Sequence, residues 1–427
     1  MTLKYKKLWL GILFTVACLF VYRLGYYIQL PYIRLENVKA VYSSGSMFGF
    51  LDIFSGGALS NFAIVALGVS PYITASIVVQ LLQMDIIPVL KEWSEEGETG
   101  KQKLNTLTRY LSIGLAFVQA LTLVVGVTVS YNGLFFGVGT PSGAMTYIYL
   151  ALVMTAGTGF VLWLADRITK KGVGNGTSLM IVVGIIASYP DMINDLMNTY
   201  IYDESAGTKG ILIFIGVILL MIVIILGVVF MEAAQRKVPI QYSNRPSSAT
   251  FSGRNDSNIP IKLNSASVIP VIFASTLMSL PTTISNFLNA GTAKNILLAV
   301  FSTSKPIGFT LYMILIVVFT FFYSFLQMSP DKMAENLQKQ NAYVPGVRPG
   351  DETAAYFSRV LFKINVVGAI YLCVLAALPI IMTWIFALPS SVQVGGTGLI
   401  IVVGVAVETA KQIKTSTQEK QYRGFMD

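Results

Sequence analysis

Apolar residues in this chain come in long, uninterrupted blocks. Between Arg109 and Asp166 there is no Asp, Glu, Lys or Arg, and that gap holds two blocks, Tyr110–Val129 and Thr146–Ala165, split by a Gly/Pro/Ser-rich turn at Asn132–Gly143. Each block is about 20 residues, enough to cross a hydrocarbon core roughly 30 Å thick. The remaining blocks are Leu8–Leu30, Ile64–Leu82, Leu179–Tyr189, Ile211–Met231, Val268–Leu288, Ile307–Met328, Val360–Ile385 and Val394–Val407. Ten spans are therefore expected, and backbone amides in lipid must be satisfied internally, which makes them helices. The second block contains Pro71, and the fifth and tenth are short or interrupted by glycine. The fold class expected is all-α, polytopic, with ten transmembrane helices.

Composition agrees. Hydrophobic residues make up 54% of the 427 and charged residues 12%, against about 25% charged in soluble domains, and the mean hydropathy is +0.67. A helical hairpin buried in a large soluble protein is the weaker alternative. The first block lacks a small-residue cleavage site and runs into Arg23, so it reads as a retained span. With the N-terminus on the cytoplasmic side, 24 of the 30 Lys and Arg residues fall on that side and five on the other. This bias puts both termini in the cytoplasm. The net charge of +9 then marks topology and contact with anionic headgroups or a cytosolic partner. The ten spans divide into five plus five, residues 1–190 and 191–427, with the break in the polar external segment Pro190–Lys209. Two odd-numbered halves must be inverted relative to each other, which places a functional site near the midplane where they meet.

The chain has no histidine, and its two cysteines, Cys18 and Cys373, lie in apolar spans. Histidine catalysis, histidine metal sites and histidine proton relays are excluded. Ion-coupled transporters carry ionisable groups inside their spans; here Arg23, Asp85, Asp166 and Glu408 lie near span ends. No paired aspartates and no Ser/Lys pairing point to an intramembrane protease, so no enzyme activity, cofactor or metal is expected. A passive conduit fits best, and a lipid or solute transporter is the reading from another class. Two long cytoplasmic loops, about residues 232–263 and 329–359, stand out. The first carries Arg236, Lys237 and Arg245; the second pins Arg348 within Tyr343-Val344-Pro345-Gly346-Val347-Arg348-Pro349-Gly350. Two prolines and two glycines in eight residues specify a fixed turn.

The segment Asp52–Leu82 is the most informative. It opens with Ser55-Gly56-Gly57, breaks at Gly68–Pro71 and resumes helix from Tyr72, so a short mobile helix, Gly57–Leu67, is expected before a spanning helix. The stretches Phe54-Ser55-Gly56-Gly57-Ala58-Leu59, Ala66-Leu67-Gly68-Val69-Ser70-Pro71-Tyr72-Ile73-Thr74-Ala75-Ser76-Ile77 and Gln80-Leu81-Leu82 closely resemble the plug and second span of the SecY/Sec61-alpha family, the pore-forming subunits of Sec translocons. Further matches follow in order: Gly172-Val173-Gly174-Asn175-Gly176, Val268-Ile269-Pro270-Val271-Ile272-Phe273-Ala274-Ser275, Gly346-Val347-Arg348-Pro349-Gly350 and Tyr422-Arg423-Gly424-Phe425. The resemblance covers nearly the whole chain.

It implies a protein-conducting channel of the bacterial cytoplasmic membrane, with transmembrane segments released sideways into lipid. A ring of aliphatic side chains would close an hourglass pore at Val69, Ile73, Thr177, Ile181, Ile272 and Ile401; Thr177 departs from the aliphatic pattern. Such an apolar constriction blocks ions by dewetting. The resemblance places a plug over about residues 55–67, including Gly57, Ala58, Leu59, Phe62 and Ile64. It places a lateral gate at Thr74 and Leu280. Arg348 would contact a motor ATPase or ribosome, with Arg236, Lys237 and Arg245 beside it. The partners implied are SecE-like and SecG-like small membrane subunits, a SecA-like motor, the ribosome, signal sequences and nascent chains, and membrane lipids. An accessory paralogue serving a restricted set of exports is the variant reading that the Ser/Asn-rich stretch Ser243–Ser257 leaves open.

Overall fold

A computed structural model describes residues 3–33, 55–59, 61–83, 87–130, 144–202, 207–242, 257–285, 291–386, 388 and 390–423. The helices are α1 (Leu3–Gly25), α2 (Ser70–Leu82), α3 (Pro88–Glu95), α4 (Glu98–Ser130), α5 (Ala144–Lys171), α6 (Gly176–Tyr200) and α7 (Gly207–Ala233). Strands β1 (Gln235–Tyr242) and β2 (Ser257–Lys262) follow, then α8 (Ile269–Ser285), α9 (Thr292–Phe301), α10 (Pro306–Gln327), α11 (Pro330–Lys339), β3 (Ala342–Tyr343), α12 (Asp351–Phe386) and α13 (Ser390–Arg423).

Eight of these helices, α1, α4, α5, α6, α7, α10, α12 and α13, are long and apolar enough to cross a membrane. The second and seventh expected spans are shorter: α2 has 13 residues and α8 has 17, about 20 and 25 Å at 1.5 Å per residue. The fifth and tenth are longer than their apolar blocks. Pro190 lies inside α6, which runs on to Tyr200, so the segment read as external from Pro190 is helix for its first eleven residues. The tenth helix extends well past its apolar block, to Arg423.

The two long loops both carry regular structure. The loop after α7 folds into a hairpin: β1 and β2 pair antiparallel, with Val238 opposite Ile259, and β3 adds on the other edge of β1. This small three-stranded sheet sits on an otherwise mainly helical chain. Residues 329–359 likewise hold helix α11, strand β3 and the first turns of α12. The sheet and α11 share a small core, in which Val238, Ile240, Ile261, Leu337, Val344, Phe357 and Leu361 pack together. On β1, Val238 and Ile240 are buried while Arg236 and Lys237 are exposed; alternation turns Lys237 away from the buried pair, and Arg236, on their side, lies at the open start of the strand.

The main core is a single large apolar cluster fed by α1, α2, α5, α6, α7, α8, α10, α12 and α13. A second cluster joins residues 30, 59, 62, 66 and 67 to α4 and α5. An ion pair fixes those last two helices: the Arg109 guanidinium lies 2.5 Å from the Asp166 carboxylate. These residues bound the charge-free gap in the sequence, and the hairpin of two spans brings them together.

Candidate functional site: an apolar closure, a turn-built plug and an exposed cationic turn

The segment before α2 is a run of turns, not the helix expected over Gly57–Leu67. The reason is in the backbone. Gly56 and Gly57 take φ of +71° and +79°, and Phe62 takes +43°, a left-handed value rare for an aromatic residue. Main-chain groups also pair with α1's continuation rather than along a helix: Leu30 N donates to Phe62 O at 2.9 Å and Ile64 N to Ile28 O at 2.9 Å. The segment packs on both sides. Leu59 and Phe62 sit in the α4–α5 cluster, Ala58 joins the main cluster, and Ile64 is half-buried with its carbonyl against Gly157 of α5. Gly56 abuts Gly184 of α6 so closely that an added Cβ would lie 2.8 Å from the Gly184 Cα.

One cation holds this segment. The Arg23 guanidinium donates to Gly56 O at 2.9 Å and stacks over the Tyr26 ring at 4.0 Å. In the sequence Arg23 was only a charge near a span end. Its partner is 33 residues away, and no local spacing signals such a pair.

Val69 caps α2, and Ile73, one turn later, shares its face. Val69, Ile73, Ile181 of α6, Ile272 of α8 and Ile401 of α13 are all buried and belong to one apolar cluster. Four helices thus contribute five aliphatic side chains, none of which can ionise or donate a hydrogen bond. Thr177 stands apart from them. It is half-buried, and its hydroxyl donates to Asn175 Oδ1 at 2.8 Å while its amide donates to the same oxygen at 3.2 Å. Asn175 is the N-cap of α6, so Thr177 serves the cap. The run Gly174-Asn175-Gly176-Thr177 carried that signal.

Thr74 is buried on α2, and its hydroxyl donates to Ser70 O at 3.2 Å. Helix α2 packs against α8, which carries Leu280; the Leu280 side chain lies outside the described residues. Arg348 sits on a turn closed by Val347 N to Val344 O at 3.1 Å, with Gly346 and Gly350 at φ +81° and +105°. The Thr353 hydroxyl donates to Arg348 O at 2.7 Å. The backbone is therefore fixed while the side chain is 87% exposed, with the Glu352 carboxylate 4.0 Å away. Arg236 and Lys237 project from β1; Arg245 lies outside the described residues.

The SecY family profile matches residues 63–410. Protein translocase subunit SecY of Bacillus licheniformis is 43% identical over 419 residues, 97% of this chain and 96% of that one. The SecY subunits of Bacillus subtilis and Staphylococcus carnosus are 41% and 42% identical over 97% and 99% of this chain, and over 96% and 97% of their own lengths. Among solved structures, a protein-conducting channel aligns with a TM-score of 0.68 at 19% identity, covering 97% of this chain and 93% of that one. Sec61 in a canine ribosome–channel complex aligns with a TM-score of 0.67 at 18% identity, with the same coverages. A multi-pass membrane fold, a family profile over most of the chain and matching relatives along almost the entire length lead to one assignment: this chain belongs to the SecY family.

Proposed function

We infer that this chain forms the protein-conducting channel of a Sec translocon, passing unfolded secretory chains across the membrane and releasing transmembrane segments sideways into lipid. The observation that carries this is the convergence of Val69, Ile73, Ile181, Ile272 and Ile401, five side chains that cannot ionise, from four helices into one apolar cluster. Side chains of this kind hold back ions by dewetting, yet they bind no particular passing sequence. The chain carries no nucleotide-binding motif in its sequence, so the work of translocation comes from a partner. The turn-built segment 55–67 acts as the plug beneath this ring, with Gly57, Ala58, Leu59, Phe62 and Ile64 within it. Thr74 and Leu280 line a lateral gate where α2 meets α8.

On this reading the protein lies in a bacterial cytoplasmic membrane with both termini inside. Residues 1–190 and 191–427 form two inverted five-span halves, and SecE-like and SecG-like subunits pack beside them. The sheet-bearing face is cytoplasmic, and Arg348, supported by Arg236, Lys237 and Arg245, engages a SecA-like motor or the ribosome. Cations held on fixed backbone suit carboxylates and phosphates. The test is site-specific crosslinking from Ile73 to a secretory precursor stalled in transit. An adduct is expected at Ile73 and none at Phe230, which is 74% exposed on α7. Equal labelling of both positions, or of neither, would refute the assignment.

A further inference from the structure

Among the described residues, the only charged side chain that is fully buried is Glu232, at the end of α7. A carboxylate out of water is unfavourable unless its oxygens are satisfied, and this one is only half satisfied. Oε1 accepts from the Ser267 hydroxyl at 2.8 Å, while Oε2 is buried without a hydrogen-bond partner. The Glu232 main-chain carbonyl accepts from Nζ of Lys411 on α13.

Three elements meet at this residue, one at its carboxylate and one at its main-chain carbonyl. The hairpin begins three residues later at Gln235, and its base is closed by Leu263 N donating to Ala234 O at 3.0 Å. Ser267 lies two residues before α8; its φ of +53° is left-handed, and its carbonyl accepts from Asn264 Nδ2 at 3.0 Å. Next to it, Val268 packs against Gly404 of α13 so tightly that a Cβ there would sit 2.7 Å from the valine methyl. Beyond this node, α8 carries Ile272 and α13 carries Ile401, both members of the apolar closure. On its other side, the exposed cations Arg236 and Lys237 are the second and third residues of β1.

We propose that Glu232 is a positioning residue of the gate: its carboxylate ties the end of α7, from which the hairpin springs, to Ser267 at the start of α8, beside the point where Lys411 brings α13 onto its main-chain carbonyl. Force applied to the hairpin then reaches Ile272 and Ile401 instead of being absorbed at the α7–β1 junction. This rests on the reading of those two residues as pore-lining.

The test uses the chain in its assembled membrane complex, with two readouts: resting ion conductance in planar bilayers, and translocation of a precursor whose signal sequence is defective. Glu232→Ala is expected to raise conductance several-fold and to admit the defective precursor, and Ser267→Ala to do the same more weakly. The double variant leaks no more than Glu232→Ala alone, because both changes remove one shared contact. Glu232→Gln keeps an oxygen for Ser267 and stays close to the parent. Parental conductance and stringency in both alanine variants, or additive effects in the double variant, would overturn the proposal. If Glu232→Ala fails to insert, Ser267→Ala decides alone, and parental behaviour there overturns it. Ile73→Asn in the same bilayers separates the two levels. A leak from Ile73→Asn with silent node variants rejects the node and leaves the channel reading standing. A silent Ile73→Asn rejects the pore-lining assignment of the apolar residues, and the node with it.

Discussion

The apolar closure and the sheet lobe are both built around buried aliphatic side chains, but they use them differently. In the lobe, Val238, Ile240, Ile261, Leu337 and Phe357 form a core whose task is to hold Arg236, Lys237 and Arg348 in place. The cations proposed to meet a partner are on the outside, and the groups that confer stability are inside. In the apolar cluster, Val69, Ile73, Ile181, Ile272 and Ile401 are packed core and, on the proposed reading, working surface at once. A change there alters packing and permeation together, whereas the lobe allows the two to be separated.

The sharpest way to break this contrast is to wet the closure. Ile73→Asn and Ile181→Asn each place an amide among side chains that offer no hydrogen bond, an unfavourable burial of roughly 2–7 kcal/mol on transfer scales. Water follows the amide, so resting conductance should rise by about tenfold or more as the dewetted barrier is lost. Recordings indistinguishable from the parent in planar bilayers would remove these residues from the pore. The next effect in size belongs to Arg23, the cation that reaches into the apolar region. Its bond to Gly56 O is charge-assisted, a class worth roughly 1.5–3 kcal/mol net. Arg23→Leu should loosen segment 55–57 and give a smaller leak than Ile73→Asn, and a cysteine at Leu59, now 2% exposed, should become reactive to aqueous thiol reagents. A Leu59 cysteine that stays protected in Arg23→Leu would count against the tether.

In the lobe the same logic predicts a separation. Arg348→Glu reverses a charge that is 87% exposed, on a turn held by backbone bonds that the substitution leaves alone. Surface changes of this kind usually stay within about 0.5 kcal/mol of the parent's stability. Motor-driven translocation should fall several-fold while the melting temperature in detergent and the resting conductance stay put. A matching loss of thermal stability would show that Arg348 is structural.

What could be read in the sequence divides along the same line. The spans were legible because a bilayer imposes length and apolarity on consecutive residues, and the Arg348 turn because Pro and Gly fix backbone locally. The plug's conformation was not, because Leu30, Ile28 and Phe62 pair across some thirty residues and Phe62 adopts a φ that its type disfavours. The hairpin is hard to read from sequence although Val238 and Ile240 alternate with exposed neighbours; half of β1 is charged or amide-bearing, which masks the period of two. At Thr177 the resemblance implies a ring position, while the Asn175 before it supplies a local reason for a threonine.

The smallest effect probes the lobe alone. Glu335 and Lys339 are four apart on α11, with the ammonium 2.6 Å from the carboxylate. That hydrogen bond, together with the charge of Lys339, holds the Glu335 carboxyl below its ordinary value of 4.5. A carboxyl lowered by folding adds stability that is present above 4.5 and is lost as pH falls through the lower folded value. The pair is exposed and screened by salt, so Glu335→Gln should lower the melting temperature only slightly at neutral pH. The difference should vanish on acidification below the carboxylate range and in high salt. Conductance through the closed channel should not follow that titration, because none of Val69, Ile73, Ile181, Ile272 and Ile401 binds a proton. A leak that rose with protonation of Glu335 would mean that α11 bears on the closure, and the division between a stabilising core that works and one that only supports would no longer hold.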